Sequence, residues 1–321
     1  MRRTRYATAA LLLAGATVLA ACGGGDDEET TSDDTSSEDG GSDDGNEAGS
    51  DDEAGSEDGD ETDSEAGSDD AAGGAGESRD GTLTVGIKFD QPGIGLQEGS
   101  SYTGMDVDVA HYIAEYLGYS EDQVEFVQSV SSQREDMIEN GQVDMIIASY
   151  SITDERMERV AFAGPYFVAG QDLLVATGSD ITGPEDLDGS VLCSVEGSTS
   201  AERIRDEYAE GVELYPAQTY SECVEFLAAG TVQAVTTDDV ILAGYANQDQ
   251  YAGQFEVVGN PFSEENYGVG IAQGSEDCEL VNEAIQAMID DGSWDQFISD
   301  NAGDFAYNEE LNPPTPGGSC V

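Results

Sequence analysis

The chain reads as an α/β protein with mostly parallel strands. Short apolar runs alternate with amphipathic helical patterns from about residue 81 onward, and no internal repeat interrupts them. Roughly 240 residues follow that point, enough for one large domain or two smaller lobes.

Leu83–Ile87 is the first strand, a short β-branched and apolar run. Met105–Leu117 places Val109, Ile113, Tyr116 and Leu117 at helical spacing, so these side chains face inward. Val124–Val127 and Val143–Ile147 are further strands with a helix between them. The same alternation continues through Val191–Val195, Ala201–Tyr208, Cys223–Ala229, Val232–Thr236 and Val240–Asn247. Phe162, Tyr166 and Phe167 form an aromatic stretch suited to a core or a cleft wall.

The first eighty residues have a different character. Arg2, Arg3 and Arg5 precede an apolar run, Ala7 to Ala20, that is too short and alanine-rich for a membrane span. Residues 1–21 therefore read as an export signal. The run ends in Leu19-Ala20-Ala21-Cys22, which resembles the bacterial lipobox, in which the cysteine carries lipid chains of the palmitate type. Such chains anchor a protein without a spanning helix, each buried methylene contributing ~0.8 kcal/mol. Residues 22–80 then read as an acidic tether. Between 23 and 79 there are 23 acids, one base and no aromatic or large aliphatic residue, so no core can form and disorder is expected. A coil of that length spans roughly 40–45 Å. It contains no calcium loop with the required glycine and bidentate glutamate spacing.

Beyond residue 80 there are 45 acidic side chains and six basic ones, a surplus of 39 negative charges. Nucleic acid and anionic membrane surfaces are excluded as partners. The composition resembles that of proteins adapted to strong salt, where screening relieves self-repulsion; melting no lower in dilute buffer than in molar salt would contradict this. The six cations are Lys88, Arg134, Arg156, Arg159, Arg203 and Arg205, and Lys88 is the only lysine. Exposed ion pairs contribute little, so cations this scarce are candidates for anion binding.

With Cys22 lipidated, Cys193, Cys223, Cys278 and Cys320 remain, and four cysteines allow three pairings. Cys193 and Cys223 share one sub-region, whereas Cys278 and Cys320 bracket the C-terminal helices. The pairing 193–223 with 278–320 is the choice, and the other two connectivities stay open. With one histidine and no CxxC, metal ligation is not expected, nor is any cofactor.

Several segments together carry a resemblance. Gly104-Met105-Asp106-Val107-Asp108-Val109-Ala110-His111-Tyr112-Ile113-Ala114 resembles the signature of family 3 bacterial solute-binding proteins, with Met105 where Phe or Tyr is usual. Ala148-Ser149-Tyr150-Ser151-Ile152-Thr153-Asp154-Glu155-Arg156, Gly197-Ser198-Thr199 and Thr236-Thr237-Asp238-Asp239 match further family segments. Lys88-Phe89-Asp90-Gln91-Pro92-Gly93 and Ser132-Gln133-Arg134 resemble the branch that binds glutamate.

The resemblance implies a two-lobed fold of the periplasmic-binding-protein type II kind, each lobe a mostly parallel sheet flanked by helices. Two crossover segments form the hinge, near Gln171–Ala176 and Asn260–Phe262. Lobe 1 comprises 81–173 and 262–321, including a C-terminal tail, and lobe 2 comprises 174–261. It further implies a monomer that binds L-glutamate or aspartate and hands it to a membrane ABC permease and its ATPase. Such a protein is not an enzyme. Another polar amino acid such as glutamine, a dehydratase-like enzyme and a ligand sensor are the alternatives.

By the same resemblance Arg156 grips the α-carboxylate, with Ser149 and Ser151 beside it, and Thr199 offers a helix start to the anion. Asp238 takes the ammonium, leaving Asp239 as the helix cap. Lys88 and Arg134 neutralise a side-chain carboxylate, which if buried unpaired would cost several kcal/mol. Gln91, Ser131, Thr219 and Tyr220 are candidates for the rim. Arg159, Arg203, Arg205 and His111 read as structural. Asp106 and Asp108, at i and i+2, do not face one another on a helix and read as cap and surface residues.

Overall fold

The computed structural model describes residues 78–208, 211–302, 305, 307–317 and 320. The export signal, Cys22 and the tether up to residue 77 lie outside the described residues.

Thirteen strands are described: β1 (Leu83–Ile87), β2 (Asp90–Gln91), β3 (Gly95–Glu98), β4 (Ser101–Thr103), β5 (Val124–Gln128), β6 (Met145–Ile146), β7 (Ala161–Ala169), β8 (Gln171–Ala176), β9 (Val191–Val195), β10 (Glu213–Ala217), β11 (Ala234–Asp238), β12 (Phe255–Val257) and β13 (Glu265–Ile271). The helices are α1 (Met105–Tyr116), α2 (Arg134–Glu139), α3 (Asp154–Met157), α4 (Thr199–Glu207), α5 (Tyr220–Ala228), α6 (Asp239–Ala246), α7 (Cys278–Asp290) and α8 (Ser293–Asn301).

Two five-stranded sheets define the lobes. The first runs β5-β1-β6-β13-β7 and the second β10-β9-β11-β8-β12. In each, three strands are mutually parallel, as α/β alternation requires. The strands adjoining the crossovers, β7 and β13 in one sheet and β8 and β12 in the other, lie antiparallel to their neighbours. Each sheet is thus mixed. The antiparallel hairpin β2-β3-β4, not expected from the sequence, follows the first strand.

The first crossover lies earlier in the chain than expected. Gln171 pairs with Asp238 and Leu173 with Thr236 in the second sheet, so residues 171–173 belong to lobe 2 and the chain passes between lobes at Gly170. On the return, Phe262 still bonds to Gln171, and Glu265 is already in the first sheet. The tether also ends earlier than expected. Arg79 forms a two-pronged ion pair with Asp277 (2.6 and 2.8 Å) and lies over the Tyr119 ring, which makes it part of lobe 1.

Helix α1 buries Val109, Ala110, Ile113 and Leu117 against the first sheet, with Tyr116 half-buried. Val143–Ile147 forms ladder pairs only at Met145 and Ile146. Phe162, Tyr166 and Phe167 are core residues of β7, Phe167 stacking on Trp294. Disulfides join Cys193 to Cys223 beneath the second sheet and Cys278 to Cys320 across the C-terminal tail. Cys223 lies one turn inside α5 rather than at its start.

Candidate functional site

The C-terminal ends of the central parallel strands of both lobes meet at one cleft. Open α/β sheets place ligands there because strand ends release loops and helix N-termini into a shared crevice. Lys88 follows β1, Ser149 follows β6, Thr199 follows β9, and Asp238 closes β11. All ten candidate binding residues line this one cavity: Lys88, Gln91, Ser131, Arg134, Ser149, Ser151 and Arg156 from lobe 1, and Thr199, Tyr220 and Asp238 from lobe 2. Ser198, Ser200, Thr237 and Ile241 line it too and were not anticipated. Thr219 does not; its hydroxyl accepts from the Glu222 amide and caps α5.

The lobe 1 wall is cationic. Lys88 and Arg134 are almost wholly buried, yet neither has an ion-pair partner among the described residues. Lys88 Nζ and Arg134 Nε and Nη2 also lack hydrogen-bond acceptors, as Gln91 Nε2 lacks one. Burial, reinforced by the nearby Arg134 charge, pulls Lys88 down to about 7. Burial and Arg156 likewise pull Arg134 down. A site that strains its own cations in this way is stabilised by an incoming anion.

Arg156 is held more firmly. Thr153 caps α3 by accepting from the Arg156 amide (3.2 Å), and the guanidinium donates to Ser151 O (2.7 Å) and to Gly197 O of lobe 2 (3.2 Å). Its Nε lies 3.5 Å from Glu135. The Tyr150 ring takes both guanidinium groups, Arg134 at 5.0 Å and Arg156 at 4.8 Å from its centre, and its hydroxyl donates to Glu135 (2.6 Å). One aromatic ring thereby lies against two mutually repelling cations.

Ser149 adopts φ +45°, an unusual conformation for a residue with a Cβ. Asp106 enforces it: its carboxylate accepts from the Ser149 amide (2.7 Å) and from Tyr166 OH (2.7 Å). Asp106 is fully buried and its pKa is pushed up to about 6 by burial, opposed by these bonds. Its assignment as a cap or surface residue is therefore corrected, because the first turn of α1 points into the protein beneath the cleft. Asp108 is partly buried and accepts from Asn301. His111 packs edge-on against Phe126.

The lobe 2 wall carries the opposite charge. Asp238 is buried with Oδ2 accepting from Tyr267 OH (2.6 Å) and Oδ1 unpartnered. Burial, then the Glu265 charge, raises its pKa well above the ordinary carboxylate range. Such a group gains from a neighbouring cation. Asp239 accepts from the Gly170 and Val240 amides, tying α6 to the crossover rather than capping it from outside. Thr199 opens α4, but its cap is Ser198, which accepts from the Ala201 amide (3.1 Å). The two walls approach so closely that a Cβ at Gly197 would lie 2.7 Å from Ser132 Cα.

The remaining arginines are engaged elsewhere. Arg159 pairs with Asp136 and Glu139 on the surface, and Arg205 lies 3.8 Å from Asp206. Arg203 joins Gln171 and Glu265, one on each crossover strand. Among the described residues no cluster of His, Cys, Asp and Glu suits a metal ion.

A sequence profile of bacterial extracellular solute-binding proteins, family 3, matches residues 83–303. The glutamate-binding protein GluB of Corynebacterium efficiens is 45% identical over 251 residues, 74% of this chain and 84% of that protein. The ABC transporter glutamine-binding protein GlnH of Bacillus subtilis is 36% identical over 219 residues, 67% and 79% of the two chains. Among solved structures, an ancestral arginine-binding protein bound to arginine matches with a TM-score of 0.65 and 33% identity, over 70% of this chain and 99% of that one.

Proposed function

The chain belongs to the bacterial extracellular solute-binding proteins of family 3, and on that premise we propose that its cleft binds L-glutamate. The carrying observation is the pair of buried, unpartnered cations, Lys88 and Arg134, set beside Arg156 and across from the unpartnered oxygen of Asp238. A ligand with two carboxylates and one ammonium complements that set. Arg156 takes the α-carboxylate with Ser149, Ser151 and Thr199. Asp238 takes the ammonium. Lys88 and Arg134 take the side-chain carboxylate, with Gln91, Ser131 and Tyr220 along the rim.

The likeness to GluB of Corynebacterium efficiens supports this choice. Glutamine is the second reading, supported by the likeness to GlnH; against it, a neutral amide leaves two buried cations without a counter-charge. Aspartate fits the charges, and cavity depth decides between the acids. The protein acts as a monomer, closing about the two crossovers and passing its ligand to an ABC permease and its ATPase. Lipid on Cys22 and the acidic segment up to residue 77 hold it at the outer face of the membrane; membrane association undiminished in Cys22→Ser would contradict the anchor.

Thermal unfolding with each amino acid tests the ligand. Ligand at a hundred times its dissociation constant adds ~2.7 kcal/mol. The largest shift is expected with L-glutamate, a smaller one with aspartate, and little with glutamine, arginine or lysine. A larger shift with glutamine would overturn the reading.

A further inference from the structure

Asp90 does not line the cavity, although it stands between Lys88 and Gln91, which do. It belongs to lobe 1, in β2, but its partners belong to lobe 2. Its Oδ2 accepts from the amides of Tyr220 (2.9 Å) and Ser221 (3.2 Å), from Ser221 Oγ (3.4 Å) and from Tyr245 OH (3.1 Å). Tyr245 OH also donates to the Asp90 carbonyl. Two of the amides that α5 leaves unpaired at its N-terminus are thus satisfied from the opposite lobe, where the helix dipole also favours a carboxylate. Close by, the lobes touch through backbone: a Cβ at Gly244 of α6 would lie 2.3 Å from Pro92 O. Tyr220, held at its amide by Asp90, presents its ring 5.6 Å from Lys88 Nζ.

We propose that Asp90 is a positioning residue for ligand binding: it clasps α5 and α6 of lobe 2 to the β2–β3 hairpin of lobe 1, and so sets Lys88 against Tyr220 across the cleft. This rests on the cleft being the amino-acid site. The clasp forms only where the lobes meet, so it adds to ligand affinity without touching ligand. Its effect has a distinctive sign. A carboxylate two residues from Lys88 repels an acidic ligand by charge alone, and its neutralisation would then tighten binding. As a clasp, its loss weakens binding.

The test is titration calorimetry and stopped-flow binding of L-glutamate to the full chain, comparing Asp90→Asn, Tyr245→Phe and the double variant. Asp90→Asn is expected to weaken binding at least tenfold and Tyr245→Phe about threefold. The double variant should be no weaker than Asp90→Asn within twofold, because both changes break one clasp. The loss should fall on the dissociation rate, leaving association within threefold of wild type. Tyr245→Phe, which alters no charge, should leave the preference for glutamate over glutamine unchanged. Binding by Asp90→Asn as tight as wild type, or strictly multiplicative losses, would overturn the clasp. Should Asp90→Asn not fold, Ser221→Ala combined with Tyr245→Phe asks the same question from lobe 2, and unchanged affinity there overturns it. A wild-type protein that binds no amino acid overturns the functional reading instead.

Discussion

The two walls of the cleft are built on similar sheets and carry opposite charge. Lobe 1 supplies all three cleft cations, Lys88, Arg134 and Arg156, while lobe 2 supplies the acid Asp238 and a wall of hydroxyls from Ser198, Thr199, Ser200, Tyr220 and Thr237. On the proposed reading an acidic amino acid is divided between the lobes: its side-chain carboxylate meets Lys88 and Arg134 of lobe 1, its ammonium meets Asp238 of lobe 2, and its α-carboxylate is shared by Arg156 of lobe 1 and Thr199 of lobe 2. Neither lobe alone satisfies the ligand, so binding energy is realised only when both are in place. On that reading, Lys88, Gln91, Arg134 and Asp238, whose buried polar atoms lack partners among the described residues, are groups a ligand would meet.

Substitutions on either wall should each weaken binding. Asp238→Asn, the lobe 2 change, is expected to weaken every amino acid by about 3 kcal/mol, since a buried ammonium loses its counter-charge. Arg156→Lys, on lobe 1, should weaken every amino acid by roughly 2–3 kcal/mol, because lysine cannot donate two parallel bonds to a carboxylate. Both are read from dissociation constants for glutamate and glutamine. An Asp238→Asn variant that binds as wild type would remove lobe 2 from the account.

A smaller effect sharpens the role of lobe 1. Lys88, pulled down to about 7 by burial, is largely charged at pH 6 and largely neutral at pH 8.5. A carboxylate beside it raises its pKa, so binding above pH 7 takes up a proton. Glutamate affinity should consequently fall as pH rises through 7–9, by up to ~1.4 kcal/mol per pH unit. Glutamine, with no side-chain carboxylate, should lack that slope. Calorimetry in buffers of differing ionisation enthalpy counts the proton. A glutamate profile that falls no more steeply than that of glutamine would mean that Lys88 is not paired with the ligand.

What could be read from the chain before folding depended on how local the signal was. Lys88 and Arg134 stood out because cations are scarce, and Arg156, Thr199 and Asp238 through short segments resembling a family. Asp106 was misjudged because its partners, the Ser149 amide and Tyr166 OH, lie 43 and 60 residues away. Asp90 was passed over for a stronger form of the same reason: its partners at Tyr220 and Tyr245 are 130 and 155 residues distant and on the other lobe. The β2-β3-β4 hairpin was missed because its strands are two to four residues long, too short for alternation to register. The crossover was placed late because an apolar run such as Leu173–Ala176 announces a strand without saying which sheet it joins.

Whether Lys88 and Arg134 read a side-chain carboxylate is decided by titration of L-glutamate and L-glutamine against wild type and Arg134→Gln. Wild type should prefer glutamate at least thirtyfold, about 2 kcal/mol, and Arg134→Gln should abolish or reverse that preference while binding glutamine at least as well as before. A preference for glutamate that survives Arg134→Gln, or wild-type protein that prefers glutamine, would show that these two cations do not select the ligand.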